Sequence, residues 1–171
     1  MSAFDDCFKA LLGEEGVLST DRNDRGNWTG GDVGKGTFVG SKYGISAAAY
    51  PTLDIVNLTV EQAKVIAKRD YWDRVRGDEL PPHFAGALFD MAYNQGAATA
   101  IKIFQKALGV GQDGVFGDGT MAAFRGSDHT ALARTFTIYR IIRYSMCPGW
   151  VNDANGWVGR AIDCYAEMVK P

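Results

Sequence analysis

Two glutamates, Glu14 and Glu15, stand side by side in "LLGEEGVLS", and Asp24 follows in "DRNDRGNW". Cleaving an acetal such as a glycosidic bond calls for two carboxyl groups. One is protonated and donates to the leaving oxygen. The other is ionised and either activates water or stabilises the oxocarbenium-like centre. Glu15 is the candidate acid, because Val17, Leu18 and Trp28 are close in sequence and would raise its pKa by desolvation. Asp24, in a polar loop, would stay ionised. The same residues also read as a solvated helix end and a turn aspartate. Composition alone favours that plainer account.

Other chemistries lack their residues. His83 and His129 are isolated and read as surface or helix-start positions, far from any HExxH or cysteine-ligand spacing. "GVGQDG" matches GxGxxG but follows a helical segment, so it reads as a helix cap and a turn. "DRNDRGNWTGGD" places Asp21, Asn23, Gly26 and Asp32 as in a calcium loop, yet Arg25 occupies a ligand position and Asp replaces the bidentate Glu. No GxSxG occurs. Neither a metal nor a cofactor is expected.

The elements that must position the carboxylates follow from periodicity. Phe4, Phe8, Leu11 and Leu12 mark one face of a first helix, Ser2 and Asp5 form a capping box, and Gly16 suits a C-terminal cap. That puts Glu14 and Glu15 in the last turn, where the helix dipole disfavours carboxylates by about 0.3–1 kcal/mol. Residues 19–46 are glycine-rich with short Thr, Val, Tyr and Ile stretches, the pattern of a small hairpin or meander. Thr59 and Gln62 cap a second helix to about Val75. Further helices are expected to Gly96, to Gly109, to about Phe124, over "HTALARTFTIYRIIRYSM", and from about Trp157 to Val169. Asp113 reads as a turn holder, and Trp72, Trp150 and Trp157 as core. The predicted fold class is mainly α, with a small β-hairpin or meander after the first helix.

A chain of 171 residues with net charge −2 and dispersed Lys and Arg suits one compact body and argues against nucleic acid as partner. No apolar run of membrane-spanning length occurs, and two aspartates stand where a signal peptide needs basic residues. Synthesis in the cytoplasm and no stable membrane association are therefore expected. Cys7, Cys147 and Cys164 are too few and too scattered for a disulfide framework, although one pair could bridge in an oxidising compartment.

The order "EEGVLS…DRG…GSKYGIS" resembles the E-G-G-Y…D-x-G-G-x-T-x-x-G-I-T signature of glycoside hydrolase family 108. "LFDMAYNQGAATAIKIFQKALGVGQDGVFGDGT" and "GW…GR" at 156–160 are similar to its downstream region. The resemblance implies a lysozyme-like fold. It also implies an N-acetylmuramidase of the phage endolysin type, cutting the N-acetylmuramic acid–N-acetylglucosamine β-1,4 bond of peptidoglycan. Residues 1–84 would be the catalytic part and 85–171 a helical peptidoglycan-binding part, packed as one unit. Glu15 takes the acid position, Asp24 the assisting carboxylate, and Ser41 the hydroxyl position. Trp28, Tyr43, Tyr93, Asn94 and Gln95 fall in motifs that would line a sugar cleft. Such an enzyme is expected to act as a monomer and to be released to the cell wall by a holin. Val17 and Leu18 depart from the family pattern, and "NWTGGDVGKG" lengthens the loop after Asp24. The competing readings are a lytic transglycosylase and a non-catalytic wall-binding protein.

Overall fold

The computed structural model describes residues 2–12 and 18–170. Its chain forms two compact units, one of residues 8–68 and a larger one of residues 1–7 and 69–171. Among the described residues there are seven α-helices and one two-stranded antiparallel sheet.

Helix α1 (Ala3–Leu12) opens with the expected reciprocal box: the Ser2 amide donates to Asp5 Oδ2 at 2.9 Å, and the Asp5 amide donates to Ser2 Oγ at 3.2 Å. The expected cap at Gly16 and the positions of Glu14 and Glu15 lie outside the described residues.

In the smaller unit, Ser41–Lys42 (β1) and Ile45–Ser46 (β2) pair with Ser41 opposite Ser46 and Lys42 opposite Ile45. Ser19 adds a third rung, exchanging both backbone hydrogen bonds with Ser41 at 2.8 and 3.1 Å. Within this unit Ile45, Ile55, Leu58 and Ala63 are buried. Helix α2 (Val60–Ala67) starts at the predicted Thr59–Gln62 capping box.

The expectation that this helix runs unbroken to Val75 needs correction. The α-helix ends at Ala67, a π turn follows over Lys68–Trp72, and a 3-10 turn covers Asp73–Val75. A π turn takes up an extra residue and so changes which face the following side chains present. Trp72, at its end, is fully buried and donates its indole N–H to Asp78 at 2.8 Å.

The larger unit is helical: α3 (Pro82–Gln95), α4 (Ala97–Leu108), α5 (Asp118–Arg125), α6 (His129–Ser145) and α7 (Trp150–Met168). Helix α3 packs on α4 and α7, and α6 packs on α4 and α7. The core is aromatic. Phe104 meets Phe116, Phe124 and Phe136 with ring centroids 5.5–5.9 Å apart, and Phe4, Trp72 and Phe89 form a second edge-to-face group. Trp72 fits the core expectation, whereas Trp150 and Trp157 are only half-buried.

Helix α7 begins seven residues before the expected Trp157, even though Gly156 and Gly159 weaken it locally. Packing overrides propensity here. Trp157 lies against Tyr144 at 5.4 Å and so close to Gly149 that a Cβ there would stand 2.9 Å from the indole. Arg160, three residues on, is held by Asp90 of α3 at 2.7 Å.

Candidate active site

Asp24 begins a 3-10 turn at Arg25–Asn27. Its Oδ1 accepts the Gly26 amide at 2.8 Å, as an N-cap aspartate does. The carboxylate is exposed. Gly26 is also where Asp24 meets the hairpin: a Cβ built there would stand 3.2 Å from Asp24 Oδ1 and 3.5 Å from Ser46 Cβ. The Gly26 carbonyl accepts the Ala48 amide at 2.9 Å. Ser46 is the register partner of Ser41, and side chains directly opposite in an antiparallel pair share a face. Asp24 and Ser41 are thus joined through Gly26 and Ser46.

The residue that sequence reasoning passed over is Asn27, which is completely buried. Its side-chain N–H groups donate to the Asp21 carbonyl at 2.9 Å and to Ser19 Oγ at 3.4 Å. Its backbone carbonyl accepts the amides of Val39 and Gly40 at 2.9 and 3.1 Å, and its amide donates to the Asp24 carbonyl at 3.2 Å. Asn27 therefore ties Asp24, Ser19 and the approach to Ser41 at one point. Its Oδ1 is buried without a hydrogen-bond partner among the described residues. The sequence signal was faint, an Asn beside the Trp of a glycine-rich loop.

The lengthened loop folds as a hairpin of its own. Thr29 pairs with Thr37 and Gly30 with Lys35 through backbone bonds of 3.0 and 3.1 Å, and Trp28 bridges to Phe38. Asp32 pairs with Lys35 at 3.1 Å and Arg25 at 3.6 Å, exposed contacts of little energetic weight. Because Val39 and Gly40 return to the Asn27 carbonyl, the excursion leaves and rejoins the site at one place. Trp28 is half-buried and donates its indole N–H to the Arg22 carbonyl at 2.9 Å. Its ring lies 5.2 Å from Phe38, over which Arg22 sits at 4.5 Å.

Tyr43 and Gly44 form the two-residue tip between β1 and β2, with φ of 53° and 77°. Two positive φ values mark the turn type whose twist suits a tight hairpin. A bulky side chain in this region costs on the order of 1 kcal/mol, and Asn, Asp or Gly is the ordinary occupant.

The remaining candidates belong to the larger unit. Tyr93, on α3, is half-buried with its ring 4.9 Å from Tyr71 and 5.7 Å from Phe89. Burial, then Tyr71, holds its hydroxyl above the usual phenol range. Asn94 is exposed in the last turn of α3, and Gln95 ends that helix with a buried Oε1 that has no hydrogen-bond partner among the described residues.

Other polar groups anchor the fold. Asp113 accepts Gln105 at 2.7 Å and the Val115 amide at 2.9 Å, the turn-holding role expected of it. Asp90 joins Arg140 and Arg160. Burial would raise its pKa, but the charge of Arg140, with the hydrogen bond and charge of Arg160, holds it below the usual carboxylate range. Cys7, Cys147 and Cys164 are free. Burial, then Asp90, pushes Cys164 up to about 11, which leaves it a protonated, weak nucleophile. Among the described residues, no group of three His, Cys, Asp or Glu could hold a metal ion, and no helix is long and apolar enough to cross a membrane.

No curated protein matches the chain. The solved structure of Brucella abortus SagA is similar to it with a TM-score of 0.82, at 26% identity, over 97% of this chain and 93% of that one. The architecture is the mainly α, lysozyme-like fold. The family model described as Glycosyl hydrolase 108 matches residues 8–96, a span that contains Asp24, the paired hairpins and Ser41. On that match the chain belongs to glycosyl hydrolase family 108 and is a glycoside hydrolase of the peptidoglycan-cleaving kind.

Proposed function

We propose that this enzyme is an endolysin-type N-acetylmuramidase that cuts the N-acetylmuramic acid–N-acetylglucosamine β-1,4 bond. The observation that carries the reading is the joining of Asp24 to Ser41, through Gly26 and Ser46, inside the family-matched span. Glu15 protonates the glycosidic oxygen. Asp24, exposed and already oriented by its cap, assists through water or charge, and Ser41 helps to place that water. A carboxyl separation of about 5–5.5 Å would make the enzyme retaining, and about 6.5–9.5 Å inverting.

Trp28 and Tyr43 are the proposed sugar contacts of the smaller unit, and Tyr93, Asn94 and Gln95 those of the larger. With its N–H committed to Arg22, Trp28 would offer a sugar its ring only. The chain from residue 85 onward is proposed to hold the wall. A phage origin, monomeric action, synthesis in the host cytoplasm and holin-dependent release to the wall complete the proposal.

Lysis of purified cell walls tests it. Glu15→Gln should abolish clearing while leaving the circular dichroism spectrum intact, and wild-type clearing by that variant would overturn the mechanism. Mass spectrometry of the digest should find reducing N-acetylmuramic acid ends. Anhydro-muramic ends would instead establish a lytic transglycosylase.

A further inference from the structure

Arg22 occupies a turn that is held from several directions. The Asp24 amide donates to the Asp21 carbonyl at 3.3 Å and closes a β-turn with Arg22 and Asn23 at its centre. Asp21 Oδ1 accepts the Asn23 amide at 2.9 Å, and the Arg22 carbonyl accepts the Trp28 indole N–H at 2.9 Å. The side chain is held as well. Its guanidinium carbon lies 4.5 Å from the centre of the Phe38 ring, which the lengthened loop brings to 5.2 Å from the Trp28 ring. A guanidinium placed over an aromatic ring can still donate from the N–H groups at its edge.

Those donors have no acceptor. Arg22 is exposed, and among the described residues its guanidinium makes no hydrogen bond or ion pair. The neighbouring cations differ: Arg25 and Lys35 pair with Asp32, and Lys42 donates to the Val56 carbonyl at 3.1 Å. The carboxylates of the same turn are committed to backbone, Asp21 to the Asn23 amide and Asp24 to the Gly26 amide. An arginine fixed at both ends has already lost much of the freedom that binding a planar oxyanion would cost.

Arg22 stands two residues before Asp24, so its ligand would belong to the strand being cut. In peptidoglycan, carboxylates are carried by N-acetylmuramic acid, on its lactyl group where no peptide is attached or on the stem peptide. We propose that Arg22 is a specificity residue that binds one of these carboxylates through the two-pronged edge of its guanidinium, with Phe38 holding the group in place. This deepens the muramidase reading and rests on it.

Calorimetric titration of the full-length protein with three disaccharides tests this. Chitobiose has no carboxylate, N-acetylglucosaminyl-N-acetylmuramic acid has a free lactyl carboxylate, and the third is that disaccharide bearing a stem peptide. None contains the bond to be cut, so binding is read without turnover. The wild type should bind at least one acidic disaccharide about fivefold more tightly than chitobiose, and which one it prefers identifies the carboxylate. Arg22→Gln should abolish the preference while binding chitobiose within about twofold of wild type and unfolding within about 3 °C of it. Arg22→Lys keeps the charge without the fork and should retain only part of the preference. No preference in the wild type, or one that survives in Arg22→Gln, would overturn the proposal. So would an equal loss for all three disaccharides, which would make Arg22 a structural prop. If Arg22→Gln fails to fold, Arg22→Lys decides alone, and an undiminished preference there overturns the proposal. Wall clearing by the wild type is a separate measurement: if it fails, the muramidase reading falls, and the titration still decides the role of Arg22.

Discussion

The two compact units are held together by different physics. In residues 8–68, short strands, tight turns and one buried asparagine organise a chain that is mostly loop, over a small apolar base of Ile45, Ile55, Leu58 and Ala63. In residues 1–7 and 69–171, interlocked aromatic rings and long helices bury the core, and the main buried charge is the Asp90–Arg140–Arg160 cluster. Directional hydrogen bonds set atoms closely but fail singly. Area burial is diffuse and tolerates small changes better. A hairpin proposed to carry catalytic groups needs the first kind of order.

This contrast can be broken most sharply at Asp90, where the apolar unit carries its charge. Arg140 is 1% exposed, and among the described residues one of its nitrogens, Nη1, has no hydrogen-bond partner. Asp90→Ala would leave the guanidinium buried and unpaired, at a cost of about 3–5 kcal/mol. Urea unfolding would measure it, and a loss below about 1 kcal/mol would refute the picture. The pH dependence follows with its sign. The Asp90 carboxyl is depressed in the folded state, so its contribution is present above the unfolded pKa of about 3.9 and lost as pH falls through the folded value. Stability should drop on acidification below about pH 4, and less steeply in Asp90→Asn, which has no such carboxyl to titrate.

Asn27 tests the polar unit. Asn27→Ala removes the bonds to Asp21 and Ser19 and should cost about 1–3 kcal/mol. The loss should show up locally, as faster hydrogen exchange at the Ser19 and Ser41 amides than at those of α3. A uniform loss of protection across both units would mean that Asn27 matters only to global stability.

The smallest stability effect is expected at Asp24. Asn caps as well as Asp, so Asp24→Asn should change stability by less than about 0.5 kcal/mol. Wall lysis should nevertheless fall about 100-fold if the charge assists the chemistry. Unchanged lysis would reduce Asp24 to a cap.

Local signals in the chain were enough for several helix ends. The Ser2–Asp5 and Thr59–Gln62 boxes and the glycine stops at Gly96 and Gly109 are settled by neighbours three or four residues apart, and each stands where it was expected. The early start of α7 and the π turn before Trp72 were not legible, because distant packing overrides local propensity there. Motif order identified the family and pointed to Asp24, Ser41 and Tyr43. It could not single out Asn27, whose partners lie on separate segments of the chain.

What the sequence determined by itself is the inventory of chemistry: two kinds of carboxyl group, a hydroxyl and aromatic rings, in an order that names a glycoside hydrolase. Tertiary structure alone decided that Asp24 meets the hairpin through Gly26, that the long loop returns to its starting point, and that Tyr43 is strained. Residue types and spacings record what groups can do. Only the closed hydrogen-bond network determines which of them meet, and at what cost in backbone strain.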